Sequence, residues 1–172
     1  WNATTRQITH PPPGLKTNVK VIVEYDDNLF NMKYHDGTNV SLADIVFSFI
    51  LTFDRADPAS PLYDRSYVPA FKAFRSTFGG FRIVSEDPLV IEYYTNVTYL
   101  DAEWIAADAA TAFYPWSSIN YAAMPWHMIA IGMLAEMDGK AAFSSDKAQS
   151  LNVEWLNYIA GPSLQILYDE LE

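Results

Sequence analysis

Hydrophobic and polar positions alternate over residues 19–25 (Val-Lys-Val-Ile-Val-Glu-Tyr), the period of a half-buried strand, and Asp26, Asp27 and Asn28 break the run as a turn. The pattern predicts a second strand over 29–34 as its hairpin partner. From Leu42 the period changes. Leu42, Ile45, Val46, Phe49, Ile50 and Phe53 recur at helical spacing, giving one broad apolar face on a helix that starts after Ser41 and ends near Ala56, ahead of the Asp57-Pro58 step. Ser41 and Asp44 have the spacing of a capping box, in which the hydroxyl accepts the Asp44 N–H and the Asp44 carboxylate reaches back to the Ser41 N–H. That carboxylate would face the positive end of the helix dipole. His35 precedes an Asp36-Gly37 step that predicts a tight turn from strand to helix.

A second helix is predicted from Ser60-Pro61 to about Phe78, with Tyr63, Tyr67, Phe71 and Phe74 as an aromatic stripe and Gly79-Gly80 as its stop. Residues 81–85 and 89–95 read as strands of an antiparallel hairpin across Glu86-Asp87-Pro88. The rest is expected to be helical. Residues 100–113 are alanine-rich, with Trp104 and Ile105 on one side, and Tyr114-Pro115-Trp116 ends them. Residues 124–137 place Pro125 near a first turn and are apolar nearly all round. Their uncharged run is shorter than the roughly 20 residues a bilayer core needs, so it reads as a buried helix. A helix opening at Ser144 is expected to carry Leu151, Trp155, Leu156 and Ile159 on one face before Gly161-Pro162, and a last one spans 163–171.

The predicted fold class is α+β: a four-stranded, largely antiparallel sheet packed by the helices at Leu42 and Ser60, with a helical C-terminal half. Residues 1–18, with His10-Pro11-Pro12-Pro13-Gly14, read as a linker or domain edge. Residues 19–172 read as one domain, with the sheet and two helices in 19–99 and a helical extension in 100–172.

Charge and composition narrow the function. The 172 residues are 50% hydrophobic and 15% aromatic with a formal net charge of -10, so the chain folds around a core and its field repels phosphate backbones. Nucleic acid is not an expected partner. Zero cysteines exclude disulfides, thiolate metal sites and thiol nucleophiles. His35 has no second histidine at ligand spacing, since the others are His10 and His127, so His35 and Asp36 read as turn residues and neither a metal nor a cofactor is expected. Phosphate loops, nucleophile elbows and zinc-protease pairs are absent, and the acidic pairs fall in turns or at the C-terminus, so the chain is not expected to be an enzyme.

The run Tyr34-His35-Asp36-Gly37-Thr38, then Ser41, then Asp44-Ile45-Val46-Phe47-Ser48, resembles the signature of extracellular solute-binding proteins of peptide-importing ABC transporters, the dipeptide- and oligopeptide-binding receptors. Ala56-Asp57-Pro58-Ala59-Ser60-Pro61 resembles the loop after that family's helix, and Phe81-Arg82-Ile83-Val84-Ser85-Glu86-Asp87-Pro88-Leu89-Val90-Ile91-Glu92-Tyr93 its next hairpin. Asn39 stands where the family usually has proline and Leu42 where it has alanine. From about Leu100 the pattern is no longer present. The resemblance implies a subdomain of a peptide-binding periplasmic-binding-protein fold, a fragment of a first lobe. His35, Asp36, Gly37, Ser41 and Asp44 are then its structural motif. It also implies that the region of Tyr63 and Tyr67 approaches the ligand cleft, which leaves those tyrosines as core or as ligand contacts. The implied partners are a peptide or other small solute, the remaining lobe and the permease subunits, at the outer face of a bacterial membrane with a lipid anchor supplied upstream. The alternative is a non-catalytic structural or protein-interaction module.

Overall fold

The computed structural model describes residues 1–112, 116–117 and 122–172. The first alternating run forms strand β1 (Val19–Glu24), and the later hairpin forms β2 (Phe78–Glu86) and β3 (Leu89–Thr95). They make one antiparallel sheet in the order β1-β3-β2, with Val21 opposite Tyr93 opposite Phe81, and Val23 opposite Ile91 opposite Ile83. Those two rows face the core. The other face carries Glu92, whose carboxylate accepts bonds from Lys20 Nζ at 2.9 Å, Arg82 Nη2 at 2.7 Å and the Tyr94 hydroxyl at 2.6 Å.

Among the described residues this sheet has three strands, not the expected four. Asp26 accepts the Asn28 N–H at 2.8 Å, and the chain winds into a 3-10 turn at Leu29–Asn31 in place of the expected strand over 29–34. With that partner gone, β1 pairs with β3, and Tyr25 N–H extends the ladder to the Leu89 carbonyl at 3.0 Å. The hairpin at Glu86-Asp87-Pro88 forms as expected, but β2 begins at Phe78, so Gly79 and Gly80 lie inside a bulged strand rather than ending a helix.

Helix α1 (Leu42–Asp54) follows its cap and ends on Arg55. One side packs Ile45 and Phe49 on the sheet, while Leu51 and Phe47 turn to a second core, so the helix is apolar on two faces rather than one. The second helix, α2 (Val68–Thr77), starts later than Ser60. Asp57, Ser60 and Asp64 each accept the backbone N–H two residues ahead, at 2.9, 3.1 and 2.9 Å, which holds 57–66 in successive turns.

Helix α3 (Ala102–Ala112) packs Ala109 into the sheet's core; the expected stop at Tyr114-Pro115 lies outside the described residues, and the short strands β4 (Trp116–Ser117) and β5 (Ala122–Ala123) pair beyond it. Helix α4 (Trp126–Met137) buries Ile129, Ile131, Gly132, Ala135 and Glu136, with Pro125 just before its first turn. No helix among the described residues is long and apolar enough to cross a membrane. The helix expected from Ser144 is only α5 (Ser145–Leu151), because Asn152 turns left-handed at φ 55°. After it, β7 (Glu154–Trp155) pairs in parallel with β6 (Ala141–Ala142), and α6 (Ser163–Asp169) closes the chain. Of the four apolar residues expected on one helical face there, Leu156 is buried while Leu151, Trp155 and Ile159 are exposed.

Candidate functional site

The corner at Tyr34–Asp44 is built almost wholly from bonds to its own backbone. Tyr34 N–H donates to the Thr38 carbonyl at 2.9 Å and Gly37 N–H to the Tyr34 carbonyl at 3.0 Å, and Gly37 takes φ 87°, which a side chain would strain. Asp36 Oδ1 accepts the Thr38 hydroxyl at 2.6 Å and its N–H at 2.9 Å, while Oδ2 meets His127 Nε2 at 2.8 Å. The Thr38 hydroxyl, the Thr38 amide and then His127 lower the Asp36 carboxyl to about 2. His35 is exposed on the turn, and no group of three potential metal ligands occurs among the described residues.

Asp44, 2% exposed, ties two helix starts together. Its Oδ2 accepts the Ser41 N–H at 2.7 Å and the Ser41 hydroxyl at 3.0 Å, and its Oδ1 accepts the Trp126 N–H at 2.7 Å across 82 residues of sequence. The carboxylate thus supplies side-chain acceptors to backbone donors at two helix N-termini, and its contacts are structural. Phe47 packs edge-on to Trp126 with centroids 6.0 Å apart beside it. Trp126 and His127 escaped the sequence reading as members of the corner. The signal was there: α4 opens on Met-Pro-Trp with no serine, threonine or aspartate to cap it, so its N–H groups need an acceptor from elsewhere.

Tyr67 lies on a buried ion pair. Arg55 Nη2 meets Asp64 Oδ2 at 2.8 Å, with both side chains almost fully buried, and the Arg55 guanidinium carbon stands 4.5 Å from the Tyr67 ring centroid. Burial raises the Asp64 carboxyl, but the Ser66 and Ser144 hydroxyls and Arg55 outweigh it and leave it lowered. Tyr67 is raised by burial. Tyr63 is half-buried in the turns before α2.

Two cavities open beside this framework, and neither is lined by Tyr63 or Tyr67. One, of about 320 Å³, lies where Arg6 and Asp54 meet Pro61 and Met133. The other, of about 600 Å³, is a groove between α1, β2 and the N-terminal strap. Its wall is aromatic: Phe49 and Phe53 from α1 against Phe78 and Phe81 from β2, with Phe49 4.6 Å from Phe81 and 4.8 Å from Phe53 between centroids. The strap is pinned where Trp1 Nε1 donates to Asp54 at 2.8 Å and Thr4 to Asp57 at 3.0 Å. It presses on β2 at Gly79, where a Cβ would collide with the Thr17 side chain.

No protein-family model matches this sequence, and no curated protein does either.

Proposed function

We propose that this chain forms part of the first-lobe wall of an extracellular solute-binding protein of the peptide-importing ABC-transporter class. The observation that carries the reading is the commitment of the motif's carboxylates: Asp36 and Asp44 are spent on a turn and on two helix starts. A motif used in this way is architecture, as the resemblance implies, and supports a binding protein over an enzyme. In this reading the segment braces a cleft that closes by a hinge around peptide, and the remaining lobe supplies most ligand contacts. The partners are then the other lobe and the permease, and the setting is the outer face of a bacterial membrane.

Titration calorimetry with trialanine and trilysine tests it. The full-length polypeptide that carries this segment should bind one peptide saturably, and the 172-residue chain alone should bind either peptide weakly or not at all. Tight binding of these peptides by the chain alone, or none by the full-length polypeptide, contradicts the reading.

A second reading, a non-catalytic interaction module, draws on one observation: Trp155, Ile159, Tyr168 and Leu171 are each more than half exposed near the C-terminal end. A full-length polypeptide that binds no small solute but captures a protein through this surface would favour it.

A further inference from the structure

We propose that the groove between α1, β2 and the N-terminal strap binds a small amphipathic acid, its apolar body on the phenylalanine wall and its carboxylate at Arg75. The inference stands apart from the receptor reading, because it needs neither a second lobe nor a peptide backbone.

The size is right for such a ligand: about 600 Å³ lies within the usual range of small-molecule sites, which are mostly apolar with a few placed polar groups. The charge is right as well. The chain holds 21 acidic residues against 11 lysines and arginines, yet among the described residues no aspartate or glutamate lines this groove, whereas Arg75 and His10 do. An acidic protein that keeps its acids out of one aromatic groove and places a cation at its rim is complementary to an anion with an apolar tail. Arg75 is not held by a carboxylate. Among the described residues no salt bridge engages it, and its guanidinium carbon sits 5.6 Å from the Phe53 centroid and 5.9 Å from that of Phe78. Ring faces orient a guanidinium without neutralising it, so its N–H fork stays available for two carboxylate oxygens. Nor does the strap seal the groove, since Ile8 and Leu15 remain 71% and 51% exposed along it.

The probe is 11-(dansylamino)undecanoic acid, with its methyl ester as the uncharged control, titrated against the full chain while dansyl emission is followed. The expected result is saturable, blue-shifted binding of the acid at one site and at least tenfold weaker binding of the ester. Arg75→Gln, at an exposed position, should weaken the acid about tenfold and leave the ester unchanged. Ser76→Trp, also exposed, should weaken both by crowding the groove. Equal affinity for acid and ester, indifference to Arg75→Gln in a variant with native circular dichroism, or probe binding that Ser76→Trp leaves untouched would each overturn the proposal. So would a dimer that excludes the probe as protein concentration rises, which would assign the groove to a second copy.

Discussion

The sheet with α1 and the helices after Pro125 are two cores made by different means. The first is large rings: Phe49 and Phe53 of α1 meet Phe78, Phe81 and Tyr93 of the antiparallel ladder in edge-on and tilted contacts. The second packs aliphatic side chains, among them Leu51, Leu62, Ile129, Ile131 and Leu156, with buried small residues such as Ala135, Ala141 and Ala142 letting backbones come close beside one buried acid. That acid, Glu136, accepts the Phe143 N–H at 2.7 Å and Lys147 Nζ at 2.7 Å. Rings absorb small changes by tilting. Close-packed alanines and a buried charge do not, so the second core should be the more brittle.

Glu136→Ala should break that contrast open most. It strands a Lys147 ammonium whose side chain is only 12% exposed and orphans the Phe143 N–H, and breaking a buried pair costs about 3–5 kcal/mol. Urea unfolding followed by circular dichroism measures the loss. Next is Gly132→Ala, whose new Cβ would strike the Tyr158 hydroxyl and stand 2.9 Å from Phe143 Cζ; about 1–3 kcal/mol of overpacking should exceed the helix-propensity gain of about 1 kcal/mol. Removing the obstructing hydroxyl with Tyr158→Phe in the same chain should recover part of the cost, a coupling that a double-mutant cycle reads directly. The first core should show the opposite temper: Phe49→Leu, which trims one ring but keeps a branched apolar side chain, should cost less than Glu136→Ala by the same unfolding assay.

The smallest effect concerns the outer face of the sheet and acid pH. The Tyr94 hydroxyl, Lys20 and Arg82 hold the Glu92 carboxyl at about 2, below its ordinary 4.5. A lowered folded-state value means its contribution is complete above pH 4.5 and is lost as pH falls towards about 2. Melting temperature should therefore drop less between pH 5 and pH 2.5 in Glu92→Gln than in the parent chain; equal drops would show that the cluster adds nothing.

The same contrast explains which elements the sequence makes legible. In the first core the signals are local and periodic, so β1, the β2–β3 hairpin, α1 and the Ser41–Asp44 cap are legible from spacing alone. The errors there come from polar side chains that compete for the backbone, Asp26 turning the expected second strand into a 3-10 turn and Asp57, Ser60 and Asp64 delaying α2. In the second core α4 is long enough to read from the sequence, but the elements after it are too short to carry a period. Two-residue strands at Ala141 and Glu154 exist because distant segments meet, and Asn152 ends α5 by a backbone turn that asparagine permits but does not announce. The corner was legible in part: its turn and cap are local, but His127 and Trp126 arrive from 91 and 82 residues away.

Asp44 ties the start of α1, whose residues enter both cores, to the start of α4. Amide hydrogen exchange on Asp44→Ala tests this most directly, because its side chain alone accepts at both helix starts. The account predicts that the Ser41 and Trp126 amides lose protection together while the β1–β3 ladder keeps its own. Loss at Ser41 with Trp126 unchanged would contradict it, because the Asp44 carboxylate would then not be what holds both helix starts.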